Sequence, residues 1–249
     1  MDTPPRQRPE SPGPWGLLIA LGLMGAWCAH LVWLLRAPGL SWTSPAAWLH
    51  GALQVSLCTG LFITAHDAMH RAVSRHRIVN DAVGMAACFL FAGLSYRRLV
   101  AHHSAHHAAP TDASDPDFST RSQSFVPWLA LFMARYTTWG QWVVMALQFN
   151  LLLLAGATRE RLWAFWVVPS VLGTLQLFCF GTYLPHRHPH TEDMAPHHAR
   201  SLTRNHAWAL LSCYFFGYHW EHHASPGTPW WRLWRLKDAR GVGHLAQGR

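Results

Sequence analysis

Four long runs of uncharged, largely apolar residues dominate the pattern of this 249-residue chain. They cover residues 15–35, 46–65, 136–158 and 162–185. A helix needs about 20 apolar residues to cross the hydrocarbon core of a bilayer, so each run predicts a membrane span. Two shorter runs, 82–96 and 205–218, predict re-entrant or interfacial pieces. The Pro-rich residues 1–14 predict a disordered start, and the whole chain is predicted to be a single all-α integral membrane domain.

Basic residues are distributed unevenly over this predicted topology. With a cytoplasmic N-terminus and four spans, the outer loops contain Arg36, Arg159 and Arg161, and the other 17 of the 20 Lys and Arg residues are cytoplasmic. Because positive residues concentrate on the cytoplasmic side, the pattern predicts a multi-pass protein of the inner membrane with both termini in the cytoplasm. The net charge of +8 then reflects topology. No recognised binding module indicates nucleic acid as a partner.

Composition supports a membrane protein, and the cysteine pattern favours neither a small disulfide-stabilised fold nor a small zinc-binding fold. Only 13% of the residues are charged, against about 25% in a typical soluble domain. The mean hydropathy is nevertheless only +0.03, because 19 histidines and the basic residues are gathered outside the apolar runs. The five cysteines show no CxxC pairs, so neither a disulfide scaffold nor a zinc ribbon is indicated.

Histidines cluster next to the predicted span ends, always on the predicted cytoplasmic side. The clusters are 66–70, 102–107, 186–190 and 219–223. Residues three and four apart share a helix face, so His66 with His70, or His219 with His222 and His223, can aim at one point. Eight histidines in three such boxes exceed the four ligands of a tetrahedral zinc ion. The spacing therefore predicts two metal ions in a cytoplasmic His-rich cap, and iron accepts imidazole ligands.

Several longer motifs are more specific than the histidine boxes alone. They are Phe62 to His70, Asp115-Pro116-Asp117-Phe118, Phe180 to Arg187, Ala199-Arg200-Ser201, Tyr218 to His223 and Pro229 to Leu233. In this order, over residues 60–235, they resemble the bacterial β-carotene ketolase family of the membrane fatty-acid desaturase and hydroxylase superfamily.

The resemblance implies an O2-dependent di-iron oxygenase that places a keto group at ring carbon C4 of β-carotene. Successive oxygenation of the same carbon gives echinenone and canthaxanthin. The implied cofactors are two iron ions with O2 as co-substrate, and the implied partners are β-carotene and related carotenoids, membrane lipid, and ferredoxin or a similar electron donor. The superfamily has a further histidine at the end of its last span, which His186 matches. The candidate metal ligands are His66, His70, His103, His106, His107, His186, His219, His222 and His223.

Several other polar residues are candidates for an additional ligand or for orienting the ligands. They are His197, Asp67, Asp115, Asp117 and Glu221. Asp67 has an alternative as a helix-end partner of Arg71, four residues on. His102 competes with His103 as a ligand, because it also pairs with His106 at a spacing of four.

The sequence departs from the family pattern at Arg71, where a glycine is usual, and at Trp220, where a second histidine is common. Four alternatives stay open: a carotenoid ring hydroxylase or lipid desaturase of the same superfamily, a zinc-dependent intramembrane hydrolase, a non-enzymatic metal-binding or transport protein, and an inactive homologue. Five phenylalanines are candidates for an apolar substrate tunnel, although core packing explains them equally well. They are Phe89, Phe91, Phe178, Phe180 and Phe215.

Overall fold

The computed structural model describes residues 13–40 and 43–247, and their regular elements are helices. An isolated antiparallel bridge joins Ser201 and Tyr218. The helices are α1 (Gly13–Arg36), α2 (Pro45–Met69), α3 (Arg77–Ala92), α4 (Tyr96–Ala108), α5 (Phe125–Tyr136), α6 (Trp139–Leu154), α7 (Arg159–His186), α8 (His206–Cys213), α9 (His219–Ala224) and α10 (Leu233–Gln247). The disorder predicted for residues 1–14 falls mostly on residues outside this range, and Gly13 and Pro14 already belong to α1.

Among the described residues, three helices are long and apolar enough to cross a membrane: α1, α2 and α7. They coincide with the predicted runs 15–35, 46–65 and 162–185. Helices α3 and α4 pass the same test only as a pair, and they are bent by 102° at the break between them. Gly93 makes this break, because it takes the left-handed conformation (φ 63°) that ends α3. A pair bent in this way forms either a broken span or a re-entrant loop, so the re-entrant or interfacial piece expected at 82–96 stays a prediction.

The run 136–158 differs from its predicted single span. It contributes the last residue of α5 and then the 16-residue helix α6, which begins after Thr138. The Thr138 side chain accepts a hydrogen bond from the backbone N–H of Gln141 at 3.1 Å, which caps a new helix inside the apolar run. The shorter run 205–218 forms α8, which ends where Tyr214 turns left-handed.

An apolar core between α1, α2, α3 and α7 holds these helices together. Leu34, Leu61 and Leu162 are fully buried in it, with Trp27 and Phe91 beside them. A second apolar cluster lies nearer the histidine boxes and joins α2 to α3 and α4. Because lipid is as apolar as these side chains, close van der Waals packing, rather than exclusion of water, is what stabilises contacts between helices of this kind. This packing brings the end of α2, the middle of α4 and the end of α7 to one end of the bundle.

Candidate metal centre

Two groups of four histidines meet at this end of the bundle. In each group the ligand nitrogens all lie within 4.8 Å of one another. The first quartet is His66, His70, His103 and His222, and the second quartet is His106, His186, His219 and His223. We call the two quartets together the histidine centre. Helix α2 supplies members of the first quartet and α7 one of the second, while α4 and α9 each contribute to both.

The ring nitrogens point at common positions rather than at separate partners. His70 Nε2 lies 2.7 Å from His103 Nε2 in the first quartet. In the second quartet, His223 Nε2 lies 3.1 Å from both His106 Nε2 and His219 Nε2. A neutral imidazole carries a single N–H, so nitrogens that converge in this way cannot all satisfy one another. A shared cation satisfies them together.

Two buried nitrogens give independent support for metal binding. The Nε2 atoms of His66 and His186 are buried and have no hydrogen-bond partner. An unpaired buried polar atom costs free energy, and bound metal removes that cost. The set of imidazole donors suits iron, zinc or copper. The residues present therefore fit a pair of metal ions.

His107, the ninth predicted ligand, lies between the two quartets. Its Nε2 is 3.1 Å from His103 Nε2 and 2.9 Å from His222 Nε2, and its ring stacks on His223 with centroids 4.2 Å apart. All nine candidate ligands are thus brought together. His102 is not: its ring packs on Tyr136 at 4.9 Å, so the geometry favours His103.

Carboxylate and carbonyl groups orient several of these rings from behind. The Nδ1–H of His106 donates to Asp115 at 2.9 and 3.1 Å, which leaves Nε2 for the quartet. The Nδ1–H of His186 donates to the carbonyl of His198 at 2.9 Å. Burial, and then the neighbouring imidazoles, hold the pKa of His222 and His223 well below its ordinary value. Both rings are therefore neutral near pH 7, as metal binding requires.

Asp67 and Glu221 connect the histidine centre to the chain that follows α9. Asp67 is buried and accepts the backbone N–H of Trp230 at 3.1 Å, which attaches the chain after α9 to α2. Its carboxylate is 3.8 Å from Nδ1 of its neighbour His66, rather than bonded to a histidine of another segment or to Arg71. Glu221 is buried and faces Lys237 and Arg240 of α10, at 3.8 and 3.4 Å.

His197 lies beside the centre and outside the quartets. Its ring is 6.0 Å from His223 and 5.2 Å from Trp220, measured between centroids. The Trp220 ring is stacked under the guanidinium of Arg240 at 3.8 Å. Trp220, which stands where the family commonly has a second histidine, thus lies outside both quartets, and each quartet keeps its four histidines.

An apolar cavity, partly open to the outside, ends on the histidine centre. His66, His103, His106 and His219 line its inner end. Of the predicted tunnel residues, Phe91 and Phe178 line it, whereas Phe89, Phe180 and Phe215 face elsewhere. The sequence argument missed Phe62, Phe132, Tyr136 and Phe216. Phe62 could have been found, because it precedes His66 by four residues on the same face of α2. Phe216 lies in the turn before α9, so helical spacing does not reveal it.

Comparison with known proteins agrees with this site. The family model described as fatty acid desaturase matches residues 43–161 and 133–242. Two proteins named beta-carotene ketolase, from Paracoccus strains N81106 and PC1, are each 38% identical to this chain. The matches cover 87% and 93% of this chain and 90% and 98% of those proteins. The chain belongs to the β-carotene ketolases of the fatty acid desaturase family.

A further relative of this desaturase-family chain carries a different substrate in its name. A protein named zeaxanthin 4-ketolase, from Chlamydomonas reinhardtii, is 38% identical over 94% of this chain, and the match spans 53% of that longer protein. No solved structure matches the chain. The residues matched by the fatty acid desaturase family model include all three histidine boxes.

Proposed function

We propose that this protein is a carotenoid 4-ketolase that converts the C4 methylene of a β-carotene ring to a ketone by two oxygenations. The observation that carries the proposal is the apolar cavity that ends on two converging histidine quartets. Such a cavity accepts the end ring of a hydrocarbon, and its inner end presents donors for two metal ions. The names of the relatives support β-carotene as the substrate. A ring hydroxylase is the second candidate, since it would need the same site for one oxygenation only.

Each group in the site has a definite task under this proposal. Iron held by the two quartets, with His107 between them, would supply the redox chemistry that activates O2. Phe62 and Phe216 pack around the end ring and exclude water from the reacting C–H bond. Asp115 holds the proton on Nδ1 of His106, so that this ring presents Nε2.

The test is pigment analysis of a bacterial host that accumulates β-carotene and expresses this chain in oxygen. We expect echinenone and canthaxanthin, with the His222→Ala variant as the inactive control. Hydroxylated rings without ketones would identify a ring hydroxylase. Unchanged β-carotene, with iron-loaded protein present in the membrane, would refute the proposal and make another lipid the substrate.

We place the protein in the inner membrane with four passes and with the histidine centre on the cytoplasmic side. The 17 basic residues outside the two predicted outer loops support this orientation. A cytoplasmic centre is within reach of a soluble electron carrier, and an acidic carrier of the ferredoxin type suits the basic surface.

The electron carrier is proposed to dock at the face formed by His197, Trp220 and Arg240. From Trp220 the rings of His197 and His223 lead inward in steps of 5.2 and 6.0 Å. Salt screens the attraction between the basic face and an acidic carrier, and the range of that attraction falls from about 10 Å at 0.1 M salt to about 3 Å at 1 M. When the acidic carrier limits the reaction, turnover should therefore fall steeply as salt is added. Turnover measured from 0.05 to 0.5 M salt checks this, and a flat profile would exclude electrostatic docking.

A further inference from the structure

A carboxylate lies in the wall of the substrate cavity beside the histidine centre. The Asp117 side chain is 12% exposed, and its Oδ2 is 3.9 Å from Nδ1 of His106. That nitrogen already donates its proton to Asp115, so it does not use the acceptor capacity of Asp117 Oδ2. A carboxylate in an apolar wall costs free energy unless hydrogen bonds are made to it. Its position therefore needs an explanation beyond orientation of His106.

Tyr136, which also lines the cavity, donates its hydroxyl to Asp117 Oδ1 in a close hydrogen bond. The backbone around Asp117 is held in place as well. The indole N–H of Trp128 donates to the Asp117 carbonyl at 2.8 Å, and Arg135 donates to the carbonyls of Pro116 and Phe118, both at 2.8 Å. Helix α5 thus fixes a hydroxyl and a carboxylate as one polar unit at the inner end of the cavity.

We infer that the Asp117–Tyr136 pair binds the C4 alcohol formed by the first oxygenation and retains it for the second. The alcohol O–H donates to the free oxygen of Asp117, while Tyr136 holds the other. This inference rests on the proposed function. It names the residues that separate a ketolase from a ring hydroxylase, which releases the alcohol.

The reaction needs this retention because both oxygenations use the same carbon. In the first, the C4 methylene, one O2, two electrons and two protons give the C4 alcohol and one water. In the second, the same inputs convert the remaining C4–H to a second hydroxyl, again with one water. The resulting geminal diol loses water and becomes the ketone, without further electrons. The one-electron carrier of the proposed function supplies all four electrons.

A cavity that was apolar throughout would not favour the alcohol over unreacted β-carotene, which is more hydrophobic and more abundant in the membrane. A site built to bond a hydroxyl discriminates strongly in favour of the molecule that carries it. The rival explanation is that the pair only orients His106. Loss of orientation would slow both oxygenations alike, and at equal consumption of β-carotene it would leave the ratio of alcohol to ketone unchanged.

The experiment measures that ratio in membranes that contain the full-length Tyr136→Phe variant, at matched consumption of β-carotene. Without the Tyr136 hydroxyl, the Asp117 carboxylate is no longer held where it accepts the alcohol O–H. We expect the alcohol-to-ketone ratio to rise roughly fivefold to tenfold, the size expected for the lost hydrogen bond between Tyr136 and Asp117. With the C4 alcohol supplied directly, kcat/KM should fall more for the alcohol than for β-carotene. Tyr183→Phe is the matched control, because its ring packs on Phe125 and Trp128 at 5.1 and 5.6 Å outside the cavity lining. An unchanged ratio in Tyr136→Phe would overturn the inference.

A second measurement uses the wild-type protein and does not depend on a variant that folds. Membranes convert labelled β-carotene in the presence of excess unlabelled C4 alcohol. Retention predicts that the ketone keeps most of the label. Dilution of the label in proportion to the alcohol pool would refute retention, whereas failure of the wild type to form any ketone would refute the proposed function itself.

Discussion

The carboxylate of Asp115 shapes the histidine centre without belonging to either quartet. It accepts the Nδ1–H of His106 and also the backbone N–H groups of Thr111 and Asp117, both at 2.8 Å. It is 2% exposed, so water does not replace these bonds. One side chain therefore fixes both the ring of a candidate ligand and the turn that carries Asp117.

Replacement of Asp115 by Asn should weaken metal binding and turnover by about tenfold to 100-fold, the usual cost of losing the group behind a ligand histidine. The measurement is iron per protein and ketone formed per protein in purified membranes. Asp112→Asn is the matched control, since the side chain of this exposed residue accepts hydrogen bonds from Ser114 in the same loop and touches no candidate ligand. Equal iron content in the two variants would show that Asp115 does not orient a ligand.

Replacement of His222 by Ala should abolish turnover and leave the chain in the membrane. His222 belongs to the first quartet and also contacts His107, so its loss removes a donor that no neighbouring side chain can replace. His76→Ala, in an exposed position before α3, should retain full activity. Assays of ketone formation at equal protein content decide. Substantial activity in His222→Ala would remove this residue from the ligand set.

At the residue scale, the sequence could indicate which histidines share a helix face but not which quartet each joins. His103 and His106 lie one turn apart on α4, yet they belong to different quartets. That partition depends on the approach of α2, α7 and α9, which no local spacing encodes. Tyr136 was missed for the same reason, because in the sequence it is only the first residue of a predicted span, and it reaches Asp117 from the end of α5.

Among the elements, α7 carries His186 and is not a regular α-helix throughout. It contains π-helical turns at Trp163–Val167 and Cys179–Tyr183, the second just before His186. Such turns are common at functional sites. Gly181 lies within the second turn, and a Cβ built there would be 2.0 Å from Cε1 of Phe216. The absence of a side chain at Gly181 thus lets Phe216 reach the cavity.

Gly181→Ala should displace Phe216, whose ring contacts His66 and His219 at 4.8 and 5.3 Å. We expect about 1–3 kcal/mol of destabilisation from the overpacking, together with reduced turnover. Thermal denaturation in detergent and ketone assays measure the two effects. Gly22→Ala is the matched control, since a Cβ there meets nothing within 4 Å. Identical melting of both variants would show that α7 and Phe216 adjust without strain.

Element boundaries were predictable where a special residue marks them and not otherwise. Charge-free length predicted α1, α2 and α7. The same measure overlooked the Thr138 cap, because a threonine does not interrupt an apolar run. Arg71 marks the turn after α2, because it has a φ of 60° in the left-handed region. Glycine adopts this conformation without strain, which accounts for the glycine that the family resemblance implies at this position.

At the scale of the whole molecule, the histidine centre lies at one end of the helix bundle and Arg161 at the other, and α6 connects the two ends. Near the histidine centre, Gly16 of α1 packs against the backbone of Val73. At the other end, Arg161 donates to the carbonyls of Leu34 and Ala37, at 2.8 and 2.5 Å. The chain must travel from Tyr136 at the first end to Arg161 at the second, and α6 makes this passage. Four passes are therefore compatible with three long helices.

Glu160→Cys and Asp112→Cys should react on opposite sides of the membrane. Both native side chains are fully solvent-exposed, and they lie at opposite ends of the bundle. In intact spheroplasts, an impermeant thiol reagent should label Glu160→Cys only, and lysed membranes should allow both to react. The unmodified chain with its five native cysteines gives the background. Labelling of both variants in intact cells would rule out the proposed orientation.

The sharing of α4 and α9 between the quartets has a consequence for how the site fills. An ion held by His103 and His222 would also fix the two helices that carry His106, His219 and His223. The side chains of the second quartet would then already be ordered, so a second ion should bind more tightly than the first. We expect cooperative loading, in which protein at half saturation is a mixture of empty and doubly filled molecules.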